Sequence, residues 1–182
     1  NDYRVINITR SGTRFSTGYE DDSLKGQWVK NVENYLKKSN DIDLVLSHVT
    51  AADSNSDKIQ QQMVDELLKV KTDYDINVMA IRDIPRYEFS VSEELEKSGE
   101  KETIKLMNKA NNQQDESYWK KLAKTNKDLP KFDPTEYFKV NGEYRPTIGN
   151  IVVYRDMDHM TNTYSESFGP ILSKEIKDVV KK

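Results

Sequence analysis

Cysteine is missing from the 182 residues. Its absence excludes disulfides, thiolate metal sites and a cysteine nucleophile, but leaves the compartment open, because exported proteins often lack it too. Long hydrophobic runs are missing as well. Hydrophobic residues make up 35% and charged residues 32% of the chain, mean hydropathy is -0.86, and no stretch has the apolar continuity of a membrane span. A bias to one sign of charge is the third absence. Twenty-eight Lys and Arg face thirty-one Asp and Glu, for a formal charge of -3, so bulk charge gives no attraction to phosphate backbones or anionic lipid, and no nucleic-acid partner is expected. Asn1 to Thr9 lacks the apolar core and cleavage site of a targeting peptide. No internal repeat or low-complexity tract interrupts the text, and the length suits one domain over residues 1–182 with a real core.

What is present reads as alternating strands and helices. Tyr3, Val5, Ile6 and Ile8 form a β-prone run that stops at Ser11-Gly12. Leu24, Trp28, Val32, Tyr35 and Leu36 recur at helical spacing, which predicts a helix from Ser23 to Lys38 with Ser23 as N-cap and Trp28 in the core. Ile42, Leu44, Val45 and Leu46 suit a strand buried on both faces of a parallel sheet. Ile59, Met63, Leu67 and Val70 define a second amphipathic helix, introduced by the polar stretch Asp53 to Asp57, and Ile76 to Ile81 a third strand that ends at Asp83-Ile84-Pro85. Strand, helix, strand, helix, strand points to an α/β fold with a mostly parallel sheet. Arg86 to Lys131 is polar and reads as a largely helical excursion. Asn141-Gly142 marks a tight turn, Ile148 to Tyr154 supplies the last strand, and a terminal helix from Phe168 is kinked or restarted at Gly169-Pro170.

Both histidines, His48 and His159, fall just after predicted strand ends, the rim where open α/β sheets place ligands. In Asp156-Met157-Asp158-His159 a carboxylate precedes an imidazole by three residues. Asp156 can fold back to accept a hydrogen bond from one ring nitrogen, leaving the other to take a proton, as a nucleophilic serine requires. Spacing alone leaves an alternative open, in which Asp156 and Asp158 cap the last helix and His159 is a surface residue. Ser47 has no Gly-x-Ser-x-Gly elbow around it and is a weak nucleophile candidate. Arg86, after Pro85, suits either an anionic or sugar substrate or a nearby acid, and Trp119 either packing or sugar stacking.

Ile151 to Tyr164, with its Asp-x-x-His, resembles the closing block of SGNH hydrolases, and more closely the SGNH domain fused behind the membrane acyltransferase of the acyltransferase-3 family. Val5 to Ser11, Leu44 to Ser47, Arg82 to Arg86 with Phe89-Ser90-Val91, and Asn141-Gly142 to Tyr154 resemble further segments in the same order. The resemblance implies a three-layer α/β/α, flavodoxin-like SGNH fold and an O-acetyltransferase acting on peptidoglycan or another surface polysaccharide at the extracytoplasmic face of a bacterial membrane. It implies His159 as general base with Asp156 orienting it, no cofactor and no metal. An oxyanion or substrate role is implied for Ser11, Gly12, Ser47 and His48. The partners implied are a cell-wall glycan or polysaccharide acceptor and an upstream membrane acyltransferase domain of the same protein.

Two features depart from the family. Its nucleophile block, Gly-Asp-Ser, occurs nowhere in this sequence. The resemblance places that block, with the first strand and helix, roughly 20–30 residues before Asn1. The first strand is then missing from this chain, and in the order 2-1-3-4-5 its loss leaves a gap that another segment fills. Many relatives also carry a cysteine pair flanking Asn141-Gly142, where Phe138 or Lys139 and Tyr144 or Arg145 stand here. The alternative activities are a carbohydrate esterase and a non-catalytic glycan-binding module.

Overall fold

Two parallel strands, β1 (Leu44–His48) and β2 (Asn77–Ile81), run side by side with Leu44 opposite Asn77 and His48 opposite Ile81. The computed structural model describes residues 3–51, 56–111 and 116–180. A two-residue strand, β3 (Lys131–Phe132), adds in parallel to the other edge of β2, which is therefore the central strand. Val78 and Ala80 of β2 enter one hydrophobic cluster, and Met79 and Ile81 enter another. That two-residue alternation is the pleat of a strand covered on both faces, and it produces three layers.

Helices α1 (Leu24–Lys38) and α2 (Asp57–Tyr74) cover the first face. Ser23 caps α1, its hydroxyl accepting the Gly26 amide at 2.9 Å, and Ser56 caps α2 through the Ile59 amide. Capping satisfies donors that the first helical turn leaves unpaired. Met63, Val64, Leu67 and Val70 of α2 pack on Val78 and Ala80. Of the helical face expected on α1 only Leu36 is buried, while Leu24 and Tyr35 are exposed. Trp28 is half-buried, edge-on to Phe15. Asp53 lies outside the described residues.

The excursion is helical, as α3 (Val91–Asn111) and α4 (Ser117–Thr125), with α3 broken at Gly99, where φ is 77°. It serves both cores. Tyr118 and Leu122 of α4 join the first, with Trp119 packed at its margin, and Val91 and Met107 of α3 join the second. The second face is built mainly from aromatic side chains on short elements. These are a 3-10 turn (Thr135–Phe138), the hairpins β4 (Lys139–Val140) with β5 (Glu143–Tyr144) and β6 (Thr147–Ile148) with β7 (Ile151–Val152), and helices α5 (Asn162–Glu166) and α6 (Gly169–Val180). Asn141-Gly142 (φ 54° and 81°) and Gly149-Asn150 (φ 59° and 62°) supply the positive φ values that two-residue hairpin loops need. At the first hairpin, where a cysteine pair was expected in relatives, Phe138 is buried and the Lys139 amine lies 4.8 Å from the Tyr144 ring centroid.

Two expected strands are corrected. Ile151–Val152 is not in the parallel sheet: Gly149-Asn150 turns the chain back, so β7 pairs antiparallel with β6, and the third sheet strand is β3. Residues 3–10 form no strand. Their alternating apolar side chains find no ladder partner, and Ile6 and Ile8 instead line an open groove with Trp28, Val32 and Tyr35 of α1. The edge of β1 away from β2 carries no strand among the described residues.

Candidate active site

The segment leaving β2 is anchored to the end of β1, where the Asp83 amide donates to Thr50 Oγ1 at 2.7 Å. It then docks on the segment that carries Asp156 and His159. The hydroxyl of the fully buried Tyr154 donates to the Pro85 carbonyl at 3.0 Å, and the Tyr87 amide donates to the Met157 carbonyl at 2.9 Å. The Val91 amide reaches the Asp156 carbonyl at 3.2 Å, and Ser92 Oγ the Arg155 carbonyl at 2.5 Å. This stitching ties the 155–159 turn to the segment that leaves the C-terminal end of β2, and open α/β sheets hold ligands at that end.

Within the turn the chain closes on itself. Tyr154 and Met160 form an isolated antiparallel bridge, and the Arg155 amide donates to the His159 carbonyl at 3.0 Å. Asp156 Oδ1 accepts the amides of Asp158 at 3.1 Å and His159 at 2.8 Å. These short-range bonds fix the carboxylate, which then meets His159 Nδ1 at 3.0 Å through both oxygens. Desolvation acts to raise the pKa of Asp156, but the two backbone amides and the imidazole override it and hold the carboxyl well below its usual range. Asp156 is therefore an anion at any working pH. The His159 ring is 59% exposed, and its Nε2 has no hydrogen-bond partner among the described residues. With Nδ1 directed at a carboxylate and Nε2 open, the ring is set to accept a proton at Nε2.

Helix capping belongs to a different residue. Thr161 caps α5, its hydroxyl accepting the Tyr164 amide at 3.2 Å, and the same hydroxyl donates to the Val152 carbonyl at 2.6 Å. Asp158 Oδ1 lies 3.1 Å from His159 Nδ1, and its Oδ2 pairs with Arg86 Nη1 at 3.0 Å, so Arg86 meets an acid. Sequence reasoning singled out Asp156 and His159 but gave Asp158 only a capping alternative. A second carboxylate adjacent in sequence to the histidine was the available signal. Asp156, Asp158 and His159 offer donor atoms within 4.8 Å of one another. Each is already engaged in the hydrogen bonds and ion pairs just described, and no ligand role is assigned to them.

The other candidates are not brought to this pair. Ser11 and Gly12 lie on an exposed turn closed by the Thr13 amide on the Arg10 carbonyl. Ser47 Oγ donates to the His48 carbonyl at 3.3 Å, and His48 Nδ1 lies 3.8 Å from Asp83. His48 is the last residue of β1, but neither hydrogen bond nor ion pair joins these four residues to His159 among the described residues, and no serine hydroxyl is bonded to its ring.

A three-layer α/β domain with an Asp-x-x-His pair on a turn docked against the segment after its central strand belongs to the structural class of SGNH-type enzymes. The sequence matches the family described as the SGNH domain fused to AT3 domains over residues 1–174, and the chain belongs to that family. Among proteins of curated function, none matches the sequence. The fold is similar to that of the periplasmic domain of the lipopolysaccharide acetyltransferase of Salmonella ser. Paratyphi A, at 17% identity and a TM-score of 0.63. That match covers 90% of this chain and 68% of the other. Membership of a family whose SGNH domains are fused to AT3 domains supports acyl-transfer or esterase-like chemistry beside a membrane acyltransferase domain. Among the described residues no helix is long and apolar enough to cross a membrane.

Proposed function

We propose that this chain forms the base-bearing part of an extracytoplasmic O-acyltransferase domain that moves acetyl groups to hydroxyls of a cell-surface glycan. The observation that carries the reading is the Asp156–His159 pair, with Nδ1 held at 3.0 Å and Nε2 facing outward. A serine outside these 182 residues attacks the acyl carbonyl while His159 Nε2 takes its proton. The donor's leaving group departs with that proton, and an acyl-serine remains. A glycan hydroxyl then attacks the acyl-serine, His159 again taking the proton and returning it to the serine oxygen as the ester transfers. Asp156 holds the tautomer and stabilises the imidazolium formed in each half. A membrane acyltransferase domain of the same protein supplies the acyl group.

Two assays test this. In the full-length protein His159→Ala is expected to lower glycan acetylation by at least about a thousandfold, as losses of triad members do, and near-normal acetylation overturns the reading. The 182-residue chain alone is expected to show no serine-dependent turnover of a small activated acetyl ester. Turnover abolished by changing one of its own serines would relocate the nucleophile.

A further inference from the structure

His159 Nδ1 lies between two carboxylates, with Asp156 at 3.0 Å and Asp158 at 3.1 Å. One anion beside an imidazole orients it and steadies the imidazolium when it forms. A second anion favours the imidazolium further, and a protonated ring cannot take a proton from a serine. The chemistry proposed above is therefore served when both negative charges are offset, and Asp156 already meets Arg155.

We propose that Arg86 is a positioning residue that offsets the charge of Asp158, so that Asp156 is the carboxylate that governs His159. The inference rests on the acyl-transfer reading for its purpose, but not for its geometry. Arg86 Nη1 lies 3.0 Å from Asp158 Oδ2, on the side of that carboxylate away from the ring contact made by Oδ1. A guanidinium keeps its charge at any working pH. Its delivery is fixed by the backbone, because both neighbours of Arg86 are bonded to the same turn: the Pro85 carbonyl by Tyr154 and the Tyr87 amide to Met157. Among the described residues, the charged groups placed at the imidazole or its carboxylates are Asp156, Asp158, Arg155 and Arg86. Arg155 contacts Asp156 through Nε at 3.2 Å. Of these two arginines it is Arg86 that reaches Asp158, and it comes from a different segment, the loop that follows β2.

The measurement is the midpoint at which the His159 ring protons titrate in the 182-residue chain, followed by NMR with His48 as internal control. Arg86→Gln is expected to raise the His159 midpoint by about 0.5–1 pH unit, the worth of one charge near a largely wet site, and to leave His48 in place. Arg86→Lys is expected to restore most of the difference. Asp158→Asn placed in the Arg86→Gln chain is expected to bring the midpoint back to the parent value or below. If Arg86 serves only as a staple, the double variant loses the staple too and stays shifted, or the single variant does not shift at all; either result overturns the proposal. Should Arg86→Gln fail to fold, Asp158→Asn alone must lower the midpoint, and a midpoint that holds still is equally fatal. In the full-length enzyme the acidic limb of the kcat/KM profile is expected to move upward with Arg86→Gln by the same interval. Activity retained by His159→Ala removes the acyl-transfer reading while leaving the titration result standing.

Discussion

The two faces of the sheet are made differently. Below β2, α1 and α2 cover the first face with long, capped elements whose aliphatic side chains meet Val78 and Ala80. Above it, hairpins, short helices and turns gather Tyr87, Phe132, Phe138, Tyr154, Tyr164 and Phe168 into an aromatic cluster. Phe138 and Tyr164 meet edge-on, 5.6 Å between centroids, and the Tyr164 hydroxyl donates to the Tyr137 carbonyl. Regular helices close a core by periodicity alone. Irregular segments must have their backbone groups satisfied one by one, and aromatic residues with a polar end do so while filling volume. The candidate site stands on the irregular face, where each bond can be aimed independently.

That contrast can be broken by experiment. The largest effect expected is on chemistry: Asp156→Asn in the full-length protein should cut acetyl transfer by about 10²–10⁴-fold, with the fold retained and the melting midpoint lowered only modestly, since the folded turn favours the ionised carboxyl. A collapse of the fold would mean that the turn is structural. On the helical face Leu67→Ala should cost about 2–5 kcal/mol by denaturant unfolding, the range for a fully buried leucine. A smaller loss would show that α2 is not the keel of that core.

Glu66 gives a pH signature to the same face. Burial, then the hydrogen bond with Glu33 and its charge, push its carboxyl from 4.5 up to about 7, while Lys69 acts in the opposite direction and Asp73 adds to the rise. Lys69 itself pairs with Glu33, and Glu66 Oε1 has no hydrogen-bond partner among the described residues. The folded protein keeps this proton where the unfolded chain has lost it, so stability falls as pH rises from about 4.5 to about 7 and stays at the lower level above. Glu66→Gln should flatten that fall and raise the melting temperature at pH 8, and an unchanged slope in thermal melts would place the titration elsewhere. On the irregular face Tyr154→Phe, which leaves the Pro85 carbonyl without its donor, should cost about 1–2 kcal/mol in the same melts. The smallest effect expected is Ser23→Ala, at about 0.5–1 kcal/mol through the lost α1 cap.

The regular face was legible in the sequence because periodicity and capping are local signals. Ser23, the spacing from Ile59 to Val70 and the run through Ile81 led directly to α1, α2 and β2. The irregular face was legible only in part. Asn141-Gly142 announced one hairpin, whereas Gly149-Asn150, an equally good turn signal, was absorbed into an expected strand. The pair β2 and β3 was invisible, because two residues carry no period and their pairing spans the whole excursion. At the site the three-residue spacing disclosed Asp156 and His159, since an aspartate can reach back over one turn. The approach of Arg86 to Asp158 could not be read, because it depends on a stitch between segments seventy residues apart in the chain.

The brevity of β3 has a dynamic consequence. Its short pairing with β2 is flanked by the Ala80 amide on the Pro130 carbonyl and the Arg82 amide on the Phe132 carbonyl, at 2.9 and 3.0 Å. The ring closed by this pairing contains all of α3 and α4, so closing it forfeits chain entropy that so short a ladder recovers poorly. Hydrogen exchange should therefore find those two amides opening more often than the β1-facing bonds of the same strand, in excursions shorter than global unfolding. Arg82, which is ion-paired with Asp133 beyond β3 and with Glu116 before α4, acts as the latch on that ring. The time it spends closed sets how long the floor beneath the aromatic cluster persists.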